Sequence, residues 1–161
     1  MKTIEIPVLI VGGGPVGLCA SILLSHHGVP SLLVERHTGT SLYPKARLIN
    51  TRTMEIFRQC GLEQAVRKIS LPPEQSRHVI WARTLVGEEL QRHTFDTVTP
   101  NLSEKVSPTF GSFTSQEVLE PVLLNCARQC NLGEVRFGSE LTTFVQDGSG
   151  VSATQIGRAH V

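Results

Sequence analysis

An apolar run closes on glycine, and the glycines then repeat as Gly12-x-Gly14-x-x-Gly17 before the chain turns apolar again. Ile4–Val11, rich in Ile and Val, reads as a strand covered on both faces. Val16–His27 reads as a helix, with Pro15 in its first turn and Gly28 after its end. Ser31–Glu35 reads as a second buried strand. Strand, glycine turn, helix and strand in such a short span make a βαβ unit, which commits the chain to an α/β fold with a parallel sheet.

The three glycines answer separate demands. Gly12 allows a tight turn, Gly14 lets a pyrophosphate approach the backbone, and Gly17 lets helix and strand pack closely. Pro15 carries no N–H, so the helix-start amides around it, Val16 among them, are the ones left to face a phosphate. Glu35 ends the second strand, where a carboxylate accepts hydrogen bonds from a ribose diol and repels a 2′-phosphate. The pattern therefore predicts a dinucleotide site that disfavours NADP, while leaving FAD and NAD open.

Composition removes other classes. Fifteen Lys plus Arg against fourteen Asp plus Glu leave a net charge of +1, so there is no single-sign field for nucleic acid. A chain of 161 residues with 40% hydrophobic and 18% charged residues is not disordered. The apolar stretch Val8–Leu24 is broken by Gly12, Gly13, Gly14 and Pro15, which argues against a signal peptide or a membrane span. Cys19, Cys60, Cys126 and Cys130 form no Cys-x-x-Cys pair, and no His-Glu-x-x-His frame occurs. Buried thiols in a reducing compartment, hence a cytoplasmic location, are the expectation.

Further along, Arg36–Ile49 has no clean period. Helices are expected over Thr51–Cys60, closed by Gly61, and over Glu63–Ile69, stopped by Pro72-Pro73. His78–Leu85 and Leu90–Phe95 read as a hairpin turning at Val86–Glu89, with Trp81 packed in it, followed by an irregular connection over Thr97–Phe113. Thr114-Ser115-Gln116-Glu117 has the form of a capping box. The helix behind it places Leu119, Val122, Leu123, Cys126, Ala127 and Cys130 on one face, with Pro121 expected to bend it. Val135–Phe137, Thr142–Gln146 and Gly150–Ala153 read as strands, with Asp147-Gly148-Ser149 as a turn. Arg52 and Glu55 are expected on a solvated helix face.

Three blocks in order, VGGGPVGL (Val11–Leu18) with LVER (Leu33–Arg36), PKARLINTRTMEIFRQCGL (Pro44–Leu62) and SQEVLEPVL (Ser115–Leu123), resemble the FAD-dependent aromatic-ring monooxygenases. These are the phenol and para-hydroxybenzoate hydroxylases, and the dichlorophenol and polyketide hydroxylase branch is the most similar. The resemblance implies a Rossmann-like FAD-binding βαβ domain of the para-hydroxybenzoate hydroxylase type, truncated, with the start of a substrate-domain β-sheet. It implies FAD as cofactor, NAD(P)H as reductant, and O2 with a small aromatic, phenolic substrate as reactants.

By position, the resemblance implies that Gly12, Gly14 and Gly17, with the amides beside Pro15 and at Val16, hold the FAD pyrophosphate. Glu35 would bind the ribose, Arg36 would flank the adenine, and Gln116 would touch FAD. Where the family has a Pro-Arg-Ala block, this chain has Lys45, with Arg47 two residues on, so either is a candidate for the flavin phosphates. The implied organisation is 1–77 for the FAD-binding part, 78–113 for a hairpin and loop of the substrate sheet, and 114–154 for the return to the FAD-binding domain. Residues 155–161 are expected to be a non-native tail, because Ile156–Val161 matches the translation of a common sequencing adapter. No catalytic or metal-ligating residue is assigned. Two other readings stay open: a non-catalytic FAD-binding module, and another flavin oxidoreductase, an epoxidase or dehydrogenase, with the same start.

Overall fold

The computed structural model describes residues 3–76, 78–94 and 106–157. The described residues gather into two compact units, one within Met1–Tyr43 and Leu119–Val161 and the other within Pro44–Val118.

The first unit opens with β1 (Val8–Val11), α1 (Pro15–His26) and β2 (Ser31–Glu35). β1 pairs in parallel with β2, and β2 in parallel with β7 (Gly133–Phe137), giving the order β1-β2-β7. As the central strand, β2 carries the continuous apolar run that burial on both faces selects, and Leu32, Leu33 and Val34 are buried. The expected strand over Ile4–Val11 shortens to Val8, which pairs with Ser31. Pro30 precedes that partner and has no N–H to extend a ladder. β1 is half-buried rather than covered on both faces, because it lies at the edge of this sheet.

Helix α1 begins at Pro15 and buries Leu18, Ser21 and Ile22 at spacings of three and four. Helix α5 (Gln116–Gln129; α2 to α4 belong to the second unit) runs unbroken through Pro121. Its fully buried face is Leu119, Leu123 and Ala127, joined by a carboxylate, Glu120; Val122, Cys126 and Cys130 are only half-buried. The four cysteines, expected buried, are all of intermediate exposure, and no disulfide forms among the described residues.

A hairpin, β8 (Ser139–Gln146) with β9 (Val151–Gly157), follows β7. The Asp147 carboxylate closes its turn by accepting the N–H groups of Ser149 and Gly150. All three strands are longer than expected, and β9 pairs Gln155, Ile156 and Gly157 with Leu141, Glu140 and Ser139. Arg158–Val161 lie outside the described residues.

The second unit contains α2 (Thr51–Gln59), α3 (Glu63–Ile69), the short α4 (Pro73–Ser76), the hairpin β4 (His78–Ala82) with β5 (Glu89–Thr94), and the two-residue pair β3 (Leu48–Ile49) with β6 (Ser112–Phe113). Asn50 caps α2 by accepting the Thr53 N–H (2.8 Å), and Gly61 follows its end at φ +73°. Ile49, Met54, Phe57, Leu62 and Val66 form the buried core. Pro72-Pro73 ends α3 but also opens α4, as proline does at a helix start.

The hairpin turns earlier than expected. Gly87 N–H donates to the Thr84 carbonyl and Arg83 N–H to that of Glu88, so β4 stops at Ala82 and leaves Leu85 and Val86 in solvent. Trp81, expected to be packed, is half exposed. Phe95 and the 97–105 part of the irregular connection lie outside the described residues. Ser107 Oγ donates to Glu55 Oε1 (2.8 Å), so Glu55 is tied to the protein while Arg52 stays solvated.

The expected capping box does not form. Thr114 N–H donates to the Arg47 carbonyl (2.9 Å), its hydroxyl pairs with Ser70 Oγ (2.6 Å), and Glu117 Oε1 accepts the Ser115 hydroxyl instead. Backbone pairing with 46–49 claims the donor that a capping carboxylate would otherwise satisfy. Among the described residues no helix is long and apolar enough to cross a membrane.

Candidate functional site

At the carboxyl end of β1 the chain turns back on itself: Gly12 has φ +112°, and its N–H donates to the Val34 carbonyl on β2 (2.8 Å). That conformation is the reason for glycine here, since no atom lies near a Cβ built on it. At Gly17 the reason is space, because a Cβ there would overlap the Gly12 carbonyl oxygen. Gly14 differs from both. Its φ of −76° suits any residue, and the nearest atom to a Cβ is Glu120 Oε1 at 4.0 Å. The space beside its backbone is open, as a ligand that must reach that backbone requires.

Gly14 is the N-cap of α1, yet no side chain caps the helix and its first turn contains no acidic residue. Pro15 occupies the first helical position, and Leu18 is the first amide to bond back, to the Gly14 carbonyl. The helix-start amides at Val16 and Gly17 thus retain the positive end of the helix dipole, an arrangement suited to an anion. Val16 is largely exposed, so this end is accessible.

Glu35 ends β2 next to that turn. Its Oε2 accepts the Gly13 N–H (2.7 Å) and its Oε1 the His37 N–H (2.8 Å). Burial pushes the carboxyl upward, but these two amides, with the charges of His37 and Arg36, outweigh it and hold the group below the usual carboxylate value. The group is therefore an anion at neutral pH with lone pairs left to accept hydroxyls. Glu35 and the exposed Arg36 line a cleft of about 280 Å³ together with Gly12, Ser139, Glu140 and Leu141.

Gly13 and the 138–141 corner were missed from sequence. A Cβ at Gly13 would lie 2.8 Å from both Glu35 Cβ and Phe137 Cζ, so the middle residue of the fingerprint is as constrained as its named glycines. Gly138, at φ +69°, donates to the His37 carbonyl (2.9 Å) and brings Ser139–Leu141 alongside Glu35. The parallel pairing of β7 with β2 brings these residues, distant in sequence, together.

Lys45, Arg47 and Gln116 belong to the second unit. Within that unit the Gln116 N–H donates to the Ala46 carbonyl (2.8 Å). Arg47 lines a cleft of about 370 Å³ with Gln75, His78 and Ser115 and an apolar wall including Leu71, Phe113 and Val118. Lys45 is exposed and is not part of its lining.

A family model described as FAD binding domain matches residues 5–160. A Streptomyces halstedii protein that carries the name polyketide hydroxylase is 41% identical over 149 residues, covering 92% of this chain. The 2,4-dichlorophenol 6-monooxygenase of Delftia acidovorans is 37% identical over 154 residues, covering 94%. The solved structure of the flavin-dependent monooxygenase PieE in complex with FAD and substrate superposes at a TM-score of 0.88 with 37% identity, over 98% of this chain and 28% of that one. The chain spans 27% and 26% of the length of the two curated relatives.

Proposed function

Since this chain belongs to the FAD binding domain family, we propose that it supplies the FAD-binding part of a monooxygenase that hydroxylates a phenolic or polyketide aromatic ring. The observation that carries this reading is the uncapped start of α1, open at Gly14 and set next to the ionised Glu35. The groups present fit the cofactor: backbone amides to donate to a pyrophosphate, and the Glu35 carboxylate to accept from a ribose diol.

In this reading Gly12 and Gly17 shape the turn, Gly14 and the amides beside Pro15 and at Val16 receive the pyrophosphate, Glu35 accepts the adenosine ribose hydroxyls, and Arg36 flanks the adenine. Arg47 is favoured over Lys45 for the flavin side because it lines the cleft of about 370 Å³, of whose lining Lys45 is not part. Gln116 contacts FAD from the head of α5. The β4–β5 hairpin is assigned to the sheet that covers the substrate.

FAD, when bound, supplies the redox chemistry that joins O2, NAD(P)H and the aromatic ring. This chain's own residues bind and orient the cofactor, and no catalytic residue is assigned among them. Titration of the purified chain with FAD, followed by flavin fluorescence and the visible absorption band, is the test. Saturable changes are expected. No change in either signal overturns the reading.

A further inference from the structure

We propose that Glu120 is a positioning residue of the dinucleotide cleft, whose carboxylate fixes the segment after Glu35 beside the Gly14 turn. The starting observation is a charged side chain on the buried face of α5: Glu120 is only 3% exposed. Burying a carboxylate is costly unless its oxygens are bonded. Its Oε2 accepts the Ser41 N–H at 2.6 Å, across 79 residues of chain. Its Oε1 is the nearest atom to the open side of Gly14.

Three hydrogen bonds hold the segment beside the turn. Gly13 is bonded to Glu35, and the chain leaving Glu35 is held at His37 by Gly138 and at Ser41 by Glu120, whose Oε1 stands 4.0 Å from the place a Cβ on Gly14 would take. The 36–43 segment is mostly exposed and has no regular structure. Without an anchor at Ser41 it would have to be ordered when the ligand binds, at a cost in affinity. A negative charge near Gly14 opposes an anion there, so charge is not what the site needs from this residue. The placement of the acceptor oxygen is.

The anchoring stands on geometry alone, and its effect on affinity rests on the FAD reading. Glu120→Ala, Glu120→Gln and Glu120→Asp in the same chain separate the possibilities. Two readouts apply: exchange of the Ser41 amide by NMR without ligand, and FAD affinity. In E120A, Ser41 exchange is expected to accelerate and FAD binding to weaken, each by about tenfold, the value of one lost hydrogen bond to a charged group. The Leu33 and Val34 amides of β2 stay protected.

E120Q keeps an acceptor oxygen for the Ser41 N–H, so it is expected to protect Ser41 and to bind FAD better than E120A does. E120D keeps the charge but withdraws the oxygens by one methylene, and behaves like E120A. Unchanged Ser41 exchange in both E120A and E120D overturns the proposal, as does loss of β2 protection in parallel with Ser41 in every variant. A parent chain that binds no FAD overturns the FAD reading instead, and Ser41 exchange still decides the anchoring.

Discussion

The Gly13 amide and the Glu35 carboxylate, 22 residues apart in sequence, meet in a hydrogen bond of 2.7 Å that closes the glycine turn onto the end of β2. The approach is so close that a methyl group on Gly13 would stand 2.8 Å from Glu35 Cβ. A residue expected to meet a ribose and to repel a 2′-phosphate thus also holds the turn that would receive the phosphates. One side chain shapes both halves of the cleft.

Glu35→Gln tests this double duty. The carboxylate accepts two backbone amides, one on each oxygen. An amide side chain has a single acceptor oxygen, so its NH2 must face one of those N–H donors. Leaving one donor unpaired at a mostly buried group is expected to cost about 1–3 kcal/mol. Native-state exchange of the β2 amides reports the loss in this unit, and FAD affinity should fall with it. Unchanged protection of β2 in E35Q would contradict the double role.

The same contacts set a pH dependence. Glu35 titrates below its ordinary value of 4.5 in the folded chain, as does Glu63 in the second unit, where the Thr109 hydroxyl and the Arg58 and Arg67 side chains outweigh burial. A lowered folded-state pKa means that the unfolded chain binds protons first. The stabilisation is complete above 4.5 and is lost as pH falls through the folded values. Denaturation midpoints measured from pH 7 down to 3 should be level to about 5 and then decline, and E35Q should decline less. A midpoint that rises on acidification would reverse the sign and refute the assignment.

Local pattern carried much of this fold in advance. The βαβ opening was legible because each piece is punctuated nearby: Gly12, Pro15 and Gly28 mark the ends of β1 and α1 within one short stretch. The 63–69 helix was bounded as found, between Gly61 and Pro72. What escaped was made by distant partners. Leu48–Ile49 is a strand only because Ser112–Phe113 pairs with it, and that same pairing takes the Thr114 amide away from the capping box its local sequence spells. Within the candidate site, the named glycines and Glu35 were readable from spacing. Gly13, His37 and the 138–141 corner were not, because their constraint is the parallel β2–β7 register.

Arg67 should be worth more to the second unit than any exposed ion pair. Its guanidinium donates to the Gly111 carbonyl (2.9 Å), the Phe110 carbonyl (2.5 Å) and the Thr109 hydroxyl (2.9 Å), and lies 3.7 Å from the centre of the Phe110 ring. Four-fifths of the side chain is shielded from solvent. Arg67→Ala is expected to destabilise this unit by about 2–3 kcal/mol. Arg67→Lys should recover less than half of that, because an ammonium lacks the planar fork. The Leu71 amide, which donates to the Phe113 carbonyl just beyond the clamped stretch, is the exchange reporter. Equal protection of Leu71 in R67A and the parent would show that the clamp carries no load.

Gly14 and Gly17, three residues apart, should separate ligand binding from folding. Alanine at Gly14 meets nothing closer than Glu120 Oε1 at 4.0 Å and requires no unusual backbone angle. The fold should therefore keep its stability or gain up to about 1 kcal/mol from a stiffer unfolded chain. The added methyl occupies the space through which a pyrophosphate would reach the amides, so FAD affinity should fall by about tenfold or more, or 1.4 kcal/mol and upward. Alanine at Gly17 instead runs into the Gly12 carbonyl oxygen, which is backbone and cannot step aside. That overlap should cost about 1–3 kcal/mol or more of stability before any ligand is added. Thermal melts of both variants, with and without FAD, give the comparison: G14A should melt like the parent alone and lose the ligand-induced rise in Tm, while G17A should melt early in both conditions. If G14A retains the full rise, the phosphate is not bound at this turn.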